Sequence, residues 1–122
     1  MTLNEYQEQA MSTCMETCDN FAYMMLNLVG EVGEFSSKVA KAIRKEEKVI
    51  HNSELCTSIS AIGSYDDELR EELMKEAGDI LWQLAGLCYV MDWDLEDVAQ
   101  GNLYKLASRK ERGVIDGNGD NR

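Results

Sequence analysis

Four acidic residues have the spacing of a metal-binding cluster. Glu31 and Glu34 lie three residues apart, and Glu76 and Asp79 repeat that spacing further along the chain. Both pairs follow the pattern acid, apolar residue, Gly, acid. Side chains three residues apart lie on one side of an α-helix, so each pair presents two carboxylates from adjacent turns. The pattern therefore predicts four carboxylates that converge between two helices.

The chemistry of these carboxylates favours a hard divalent cation. Carboxylates about 5 Å apart repel by roughly 3 kcal/mol per close pair at an effective dielectric near 20. Oxygen ligands suit Mg²⁺ or Mn²⁺, whereas Zn²⁺ sites usually include Cys or His, and the two segments contain neither. We predict Mg²⁺ as the cofactor, with Mn²⁺ as a possible replacement. The predicted metal ligands are Glu31, Glu34, Glu76 and Asp79.

The glycines beside these acids are unfavourable inside helices. Gly30, Gly33 and Gly78 each cost about 1 kcal/mol relative to Ala at such positions. Either a close approach of two helices or space for ions and a ligand would account for them.

A stripe of lysines continues the acidic face of the same helix. Lys38, Lys41 and Lys45 follow Glu34 at helical spacing. Mg²⁺ beside basic side chains is a common arrangement for holding polyphosphate, so Lys38 and Lys41 are predicted substrate-binding residues. A solvated helix face is the alternative for this stripe, because Lys is mostly exposed in proteins.

A second polar stripe lies near the end of the chain. Its residues recur every three or four positions and are also predicted to bind substrate: Asn102, Lys105, Arg109 and Arg112. The residues after them, 113–122, form a Gly-rich tail whose charged end residues are suited to contact a nucleotide or a neighbouring subunit. A frayed terminus is the alternative for this tail.

Apolar spacing of three and four predicts helices throughout, and no segment alternates like a strand. Thr2 and Glu5 form a capping box for a first helix that ends near Asp19 and Asn20. A second helix runs to about Lys48. Its predicted apolar seam consists of Phe21, Met25, Leu28, Val32, Phe35, Val39 and Ala42.

Two further helices follow a connection without periodicity at residues 49–65, which we interpret as an inserted loop. Asp66 and Asp67 provide caps for the third helix, and Asp94 caps the fourth. The third seam is Leu69, Leu73, Glu76, Ile80, Leu84, Leu87 and Met91, and the fourth is Leu95, Ala99, Leu103 and Leu106. The sequence therefore predicts an all-α four-helix bundle in a single domain, residues 1–122.

Composition excludes several classes of function. The chain has 122 residues and a formal charge of −11, from 12 Lys and Arg against 23 Asp and Glu. A protein that grips nucleic-acid phosphates needs clustered positive charge, so we expect no nucleic-acid partner. No segment has the roughly 18 apolar residues of a membrane span, and the first ten residues have no basic region. We expect a cytoplasmic protein without a membrane partner.

The acidic motifs resemble those of the all-α nucleoside triphosphate pyrophosphohydrolases of the MazG-like type. The resemblance extends from about residue 26 to 122 and includes the Asn102, Lys105 and Arg109 pattern and the Gly-rich ending. It implies an oligomeric helical bundle, at least a homodimer, in which the four acids hold Mg²⁺. It also implies that water attacks the α-phosphorus of a nucleoside triphosphate and releases a nucleoside monophosphate and pyrophosphate.

Within this hypothesis Glu34 is the predicted catalytic base, and nucleotide-pool housekeeping is the expected role. One departure from the family pattern is the separation of Glu34 and Glu76 by 41 residues, which is longer than in compact members because of the 49–65 insertion. Two alternatives remain: a non-catalytic, metal-stabilised dimerisation or adaptor module, and a nucleotide sensor that binds without turnover. Complete four-acid motifs favour the enzyme.

Overall fold

Four helices and a small hairpin make up the part of the chain that the computed structural model describes, residues 1–45, 49–56 and 67–122. Helix α1 spans Leu3–Met11 and is followed by a 3₁₀ turn, Glu16–Cys18. Helix α2 spans Phe21–Arg44, and the strands β1 and β2 span Val49–His51 and Glu54–Cys56. Helix α3 spans Asp67–Val90, and helix α4 spans Leu95–Glu111. The protein is therefore mostly helical, as the sequence predicts.

The capping box at the start of α1 is confirmed, but the helix ends earlier than predicted. The Glu5 amide donates to Thr2 Oγ1 at 3.1 Å, and the Thr2 amide donates to Glu5 Oε2 at 2.6 Å. At the other end, the Ser12 and Thr13 hydroxyls donate to carbonyls of the last turn. Such local bonds compete with helix continuation. Asn20, expected at the end of α1, instead caps α2, because its Oδ1 accepts from the Tyr23 amide at 2.8 Å.

Helices α2 and α3 pack closely along one line. Met24 is fully buried on α2 and faces Gly86 of α3. A Cβ at Gly86 would collide with the Met24 Sδ and lie 2.6 Å from its Cε. The close helix approach is therefore at Gly86. A Cβ added at Gly33 or Gly78 would have no neighbour within 4 Å among the residues that the structure describes.

The predicted seams of α2 and α4 are only partly buried. On α2, Phe21 and Val32 are 56% and 47% exposed, and the buried residues are Met24 and Ala42. Apolar residues cover much of the circumference of α2, so their spacing does not identify the face that packs. Leu103, in the seam of α4, is 59% exposed. Phe35 and Val39 of the α2 seam nevertheless pack against the buried cluster that includes Ala42, and Leu95 of the α4 seam is 5% exposed, so each predicted seam is confirmed in part.

The expectation that the 49–65 connection contains no strand is wrong for its first part. Strands β1 and β2 pair antiparallel, with Ile50 opposite Leu55. Asn52 and Ser53 connect them with φ of 50° and 67°, the left-handed geometry of a tight hairpin turn. Leu55 packs against a buried cluster of Ala42, Leu69 and Leu73. Helix α2 ends at Arg44 with Lys45 as its C-cap, before the predicted end near Lys48. The rest of the predicted loop and the cap at Asp66 lie outside the described residues.

Side chains of α1 cap α4. Gln7 is 6% exposed, and its Nε2 donates to the carbonyls of Ala85 and Trp93 at 3.2 and 3.0 Å. Its Oε1 accepts from the Leu95 amide at 3.0 Å. The first amides of a helix have no partner within the helix, so such bonds satisfy donors that burial would leave unpaired. Asp94 occupies the predicted N-cap position, but its side chain makes no capping bond.

Replacing Gln7 by Ala should destabilise the protein by about 2–3 kcal/mol. The change leaves the buried Leu95 amide and two carbonyls without their partner, and an unsatisfied buried polar group costs about 1–3 kcal/mol. Urea unfolding measures the difference. Gln9→Ala on the exposed side of the same helix is the matched control. Equal stabilities of the two variants would contradict the capping role.

Candidate metal centre

Three of the four predicted ligands come together between α2 and α3. One carboxylate oxygen from each of Glu31, Glu34 and Glu76 lies within 4.8 Å of the other two. The first two project from successive turns of α2, and the third projects from α3. The Glu76 side chain is 12% exposed, whereas Glu34 is exposed. The cluster therefore has one deeply placed carboxylate and one that solvent reaches.

Hydrogen bonds that link two amide side chains hold the Glu31 carboxylate in place. Asn27 Nδ2 donates to Glu31 Oε1 and to Gln83 Oε1, both at 3.0 Å. Gln83, 1% exposed on α3, donates in turn to the Met24 carbonyl at 3.4 Å. Asn27 and Gln83 were not among the predicted site residues. The sequence does contain a sign of their role, because both are polar residues on otherwise apolar helix faces.

Lys38 provides a positive charge inside the cluster. Its Nζ lies 3.2 Å from Glu76 Oε1. One ammonium cannot balance three carboxylates. The second oxygen of Glu76, Oε2, is buried and has no hydrogen-bond partner among the described residues. Since a buried charged oxygen without a partner is costly, the donor set fits a divalent cation: three carboxylates, with one orphaned oxygen among them.

The electrostatics of the cluster raise the pKa of Glu31. Burial is the largest cause, followed by the negative charge of Glu34, while the hydrogen bond from Asn27 lowers the pKa. The charges of Asp79 and Glu76 raise it further. Burial, and after it the proximity of like charges, is therefore the physical origin of this shift.

Asp79 lies at the edge of the cluster. It is exposed and is not part of the group of three whose oxygens lie within 4.8 Å among the described residues. Its charge nevertheless raises the pKa of Glu31, and it also raises the pKa of Tyr6 on α1, which is raised mainly by burial. The fourth predicted ligand is thus near the cluster, on the side that faces α1.

The metal-free protein should lose stability as the pH rises through the pKa of Glu31. The folded-state pKa lies above the ordinary value of 4.5, so the folded state binds the proton more tightly than the unfolded state. The contribution of Glu31 is therefore fully present below 4.5 and is lost as the pH rises through the folded-state pKa. Urea unfolding in EDTA at several pH values, compared with Glu31→Gln, measures this contribution.

The matched control is Glu8→Gln, at an exposed carboxylate on α1. The difference in stability between wild type and Glu31→Gln should change with pH, and the corresponding difference for Glu8→Gln should change less. A pH-independent difference for Glu31→Gln would contradict the electrostatic origin of the shift.

The predicted lysines of α2 lie beside the carboxylates. Lys38 and Lys41 line a cavity of about 220 Å³ together with Lys45 and Glu72. Because Lys38 also contacts Glu76, this cavity adjoins the acidic cluster.

The second predicted stripe contacts the tail of the chain. Lys105 and Arg109 both bind Asp120, and Arg112 donates to the main-chain oxygen of Arg122 at 2.7 Å. Asn102 is exposed on the same helix.

Within the described residues, each helix is too short or too polar to span a membrane.

The fold and the site together define a helical protein with a carboxylate centre between its two longest helices. The sequence matches the MazG nucleotide pyrophosphohydrolase domain over residues 19–114, and the chain belongs to that family. It is also similar to the Gene 37 protein of Mycobacterium phage L5, with 39% identity over 107 residues, which cover 88% of this chain and 81% of the phage protein. No solved structure matches the chain significantly.

Proposed function

We propose that the protein hydrolyses a nucleoside triphosphate, either an NTP or a dNTP, at the α-phosphorus and releases a nucleoside monophosphate and pyrophosphate. The observation that carries this proposal is the carboxylate cluster of a MazG-family chain, in which Glu76 Oε2 is buried and has no hydrogen-bond partner in the part of the chain that the structure describes. Glu31, Glu34, Glu76 and Asp79 are the residues that would hold Mg²⁺ or Mn²⁺. When bound, the cation supplies Lewis-acid polarisation of a phosphoryl oxygen and lowers the pKa of a water ligand.

Glu34 is suited to accept the proton of the attacking water. It is the exposed member of the cluster, whereas Glu31 is held by Asn27 and Glu76 is held by Lys38. The water oxygen forms a bond to the α-phosphorus while the bond from that phosphorus to the bridging oxygen breaks. The water proton passes to the Glu34 carboxylate, and pyrophosphate leaves with the electron pair of the broken bond.

The lysines of α2 are suited to the phosphate chain. Lys38 and Lys41 line the cavity that adjoins Glu76, and this position supports a role for their positive charge in binding the phosphate chain. In the same proposal the polar stripe of α4 contributes further substrate contacts: Asn102, Lys105, Arg109 and Arg112.

We further propose that the protein works as a homo-oligomer, at least a dimer. On α2, Leu26 and Val29 are 74% and 63% exposed, and on α4, Leu103 and Tyr104 are 59% and 70% exposed. Large exposed apolar patches usually mark interaction sites. A second copy of the chain that covers these faces would bury these apolar side chains.

Sedimentation at micromolar concentration should therefore show at least twice the chain mass of 13.8 kDa. Leu26→Glu and Val29→Glu together should shift the protein toward the monomer, because two charges would be buried in the interface. A wild-type protein that sediments as a monomer would contradict the proposal.

A product assay tests the proposed reaction. Each NTP and dNTP is incubated with Mg²⁺, and pyrophosphate and orthophosphate are measured separately. Pyrophosphate from at least one nucleotide is the expected result. Orthophosphate without pyrophosphate would mean attack at the terminal phosphorus, and binding of nucleotides without any product would favour the sensor.

A further inference from the structure

The tail after α4 folds back onto the basic stripe of that helix. Asp120 Oδ1 accepts from Lys105 Nζ at 3.2 Å and from Arg109 Nη2 at 2.9 Å. The Arg109 side chain is 6% exposed, whereas the Asp120 side chain is 81% exposed. A solvent-exposed carboxylate is therefore bound to a guanidinium that is almost completely covered.

The carboxylate leaves this pair of cations incompletely satisfied. A single oxygen of Asp120 serves both Lys105 and Arg109. Arg109 Nη2 also donates to the Gly119 carbonyl at 3.4 Å, but Arg109 Nε is buried and has no acceptor among the described residues. A guanidinium has five N–H donors, and a phosphate group offers several oxygens where the carboxylate uses one. Phosphate would thus be a better partner for this pair than Asp120.

We propose that Lys105 and Arg109 form an oxyanion site which Asp120 occupies in the free protein, so that a phosphate group must displace the tail to bind there. The identification of that phosphate with the polyphosphate chain of the nucleotide rests on the proposed function. The tail is then an autoinhibitory latch over the basic stripe of α4.

The construction of the tail allows it to move as a unit. Arg122 holds the tail together through internal hydrogen bonds. Its guanidinium donates to the carbonyls of Val114, Ile115 and Gly119. Gly113, immediately after α4, has a φ of 68°, a conformation that strongly favours glycine and marks a sharp turn at the base of the tail. Opening at Gly113 breaks the few bonds to α4 and leaves the internal bonds of the tail intact.

An anion from solution can also replace the Asp120 carboxylate in its contact with α4. Hydrogen bonds from Arg109 and Lys105 lower the pKa of Asp120, so the latch is closed by a carboxylate anion over a wide pH range. Because the Asp120 side of the contact is exposed to solvent, anions in solution can compete with this carboxylate for the same donors.

Binding of inorganic triphosphate in EDTA tests the latch. EDTA removes the divalent cations that the proposed hydrolysis requires, so the measurement does not depend on catalysis. Asp120→Asn should bind triphosphate about three- to fivefold more tightly than wild type in calorimetric titration, because the competing negative charge is removed. Asp116→Asn is the matched control, since it makes the same charge change at another exposed aspartate of the tail, and it should have a much smaller effect.

Lys105→Gln in the Asp120→Asn background should abolish the gain in affinity. Equal or weaker binding by Asp120→Asn would overturn the proposal, as would an equal gain from Asp116→Asn or no binding of triphosphate by any variant. Metal-dependent release of pyrophosphate by the wild-type protein is measured separately. Failure of that assay would overturn the proposed function, and the triphosphate titration would still decide whether the latch exists.

Discussion

Glu34→Gln should reduce the rate of pyrophosphate release by at least about 10³-fold. The change keeps the shape of the side chain but removes a proton acceptor, which alone contributes about 10²–10⁴-fold. It also removes a charged metal ligand, so the loss should be at the upper end of that range. Steady-state measurement of pyrophosphate with saturating nucleotide and Mg²⁺ gives kcat for the variant and the wild type.

The control for Glu34→Gln is the same substitution at Glu68. This exposed residue of α3 lies outside the carboxylate cluster, so Glu68→Gln should retain kcat within about twofold. Circular dichroism and melting curves of the two variants should show intact helices. A folded Glu34→Gln protein with wild-type kcat would remove Glu34 from the mechanism.

Asp79→Asn extends the same experiment to the residue at the edge of the cluster. Asp79→Asn should cause a large loss of pyrophosphate release, because it removes the charge of a proposed cation ligand that already acts on Glu31. An activity close to wild type would restrict the ligand set to Glu31, Glu34 and Glu76.

The sequence predicts those parts of the site that depend only on residue spacing within a single helix. A spacing of three residues places Glu31 beside Glu34 wherever the helix packs, and the apolar pattern of α3 places Glu76 toward the core. The position of Asp79 depends on how α3 is rotated against α2 and α1, which spacing does not determine. The unpartnered oxygen of Glu76 and the hydrogen bonds of Asn27 likewise depend on how the helices pack against one another.

The parts of the fold that differ from the prediction depend on non-local contacts or on weak turn signals. The hairpin turn at Asn52 and Ser53 contains no Gly, so the left-handed conformations had no clear signature in the sequence. The cap of α4 comes from Gln7, which is far away in the chain. An apolar stripe such as that of α4 shows that something should cover it, but not whether the partner is the same chain or another copy.

Saturating Mn²⁺ or Mg²⁺ should raise the melting temperature of the protein by roughly 10 °C relative to EDTA. A ligand that binds only the native state stabilises it by about 2.7 kcal/mol at one hundred times its Kd, and 1 kcal/mol shifts the melting temperature of a domain of this size by about 4 °C. The stabilisation arises because the cation removes the repulsion among three carboxylates that lie within 4.8 Å of one another and gives Glu76 Oε2 a partner.

Glu76→Gln separates this effect from nonspecific binding of cations to an acidic protein. In EDTA the variant should melt at or above the wild-type temperature, because one of the clustered charges is removed, although Lys38 loses its ionised partner. With Mn²⁺ it should show little further shift, whereas Glu68→Gln should keep the full wild-type response. If the wild-type melting curves in EDTA and in saturating Mn²⁺ coincide, or if Glu76→Gln keeps the full shift, the cluster is not a metal site, and the close approach of its carboxylates must be balanced by Lys38 and solvent alone.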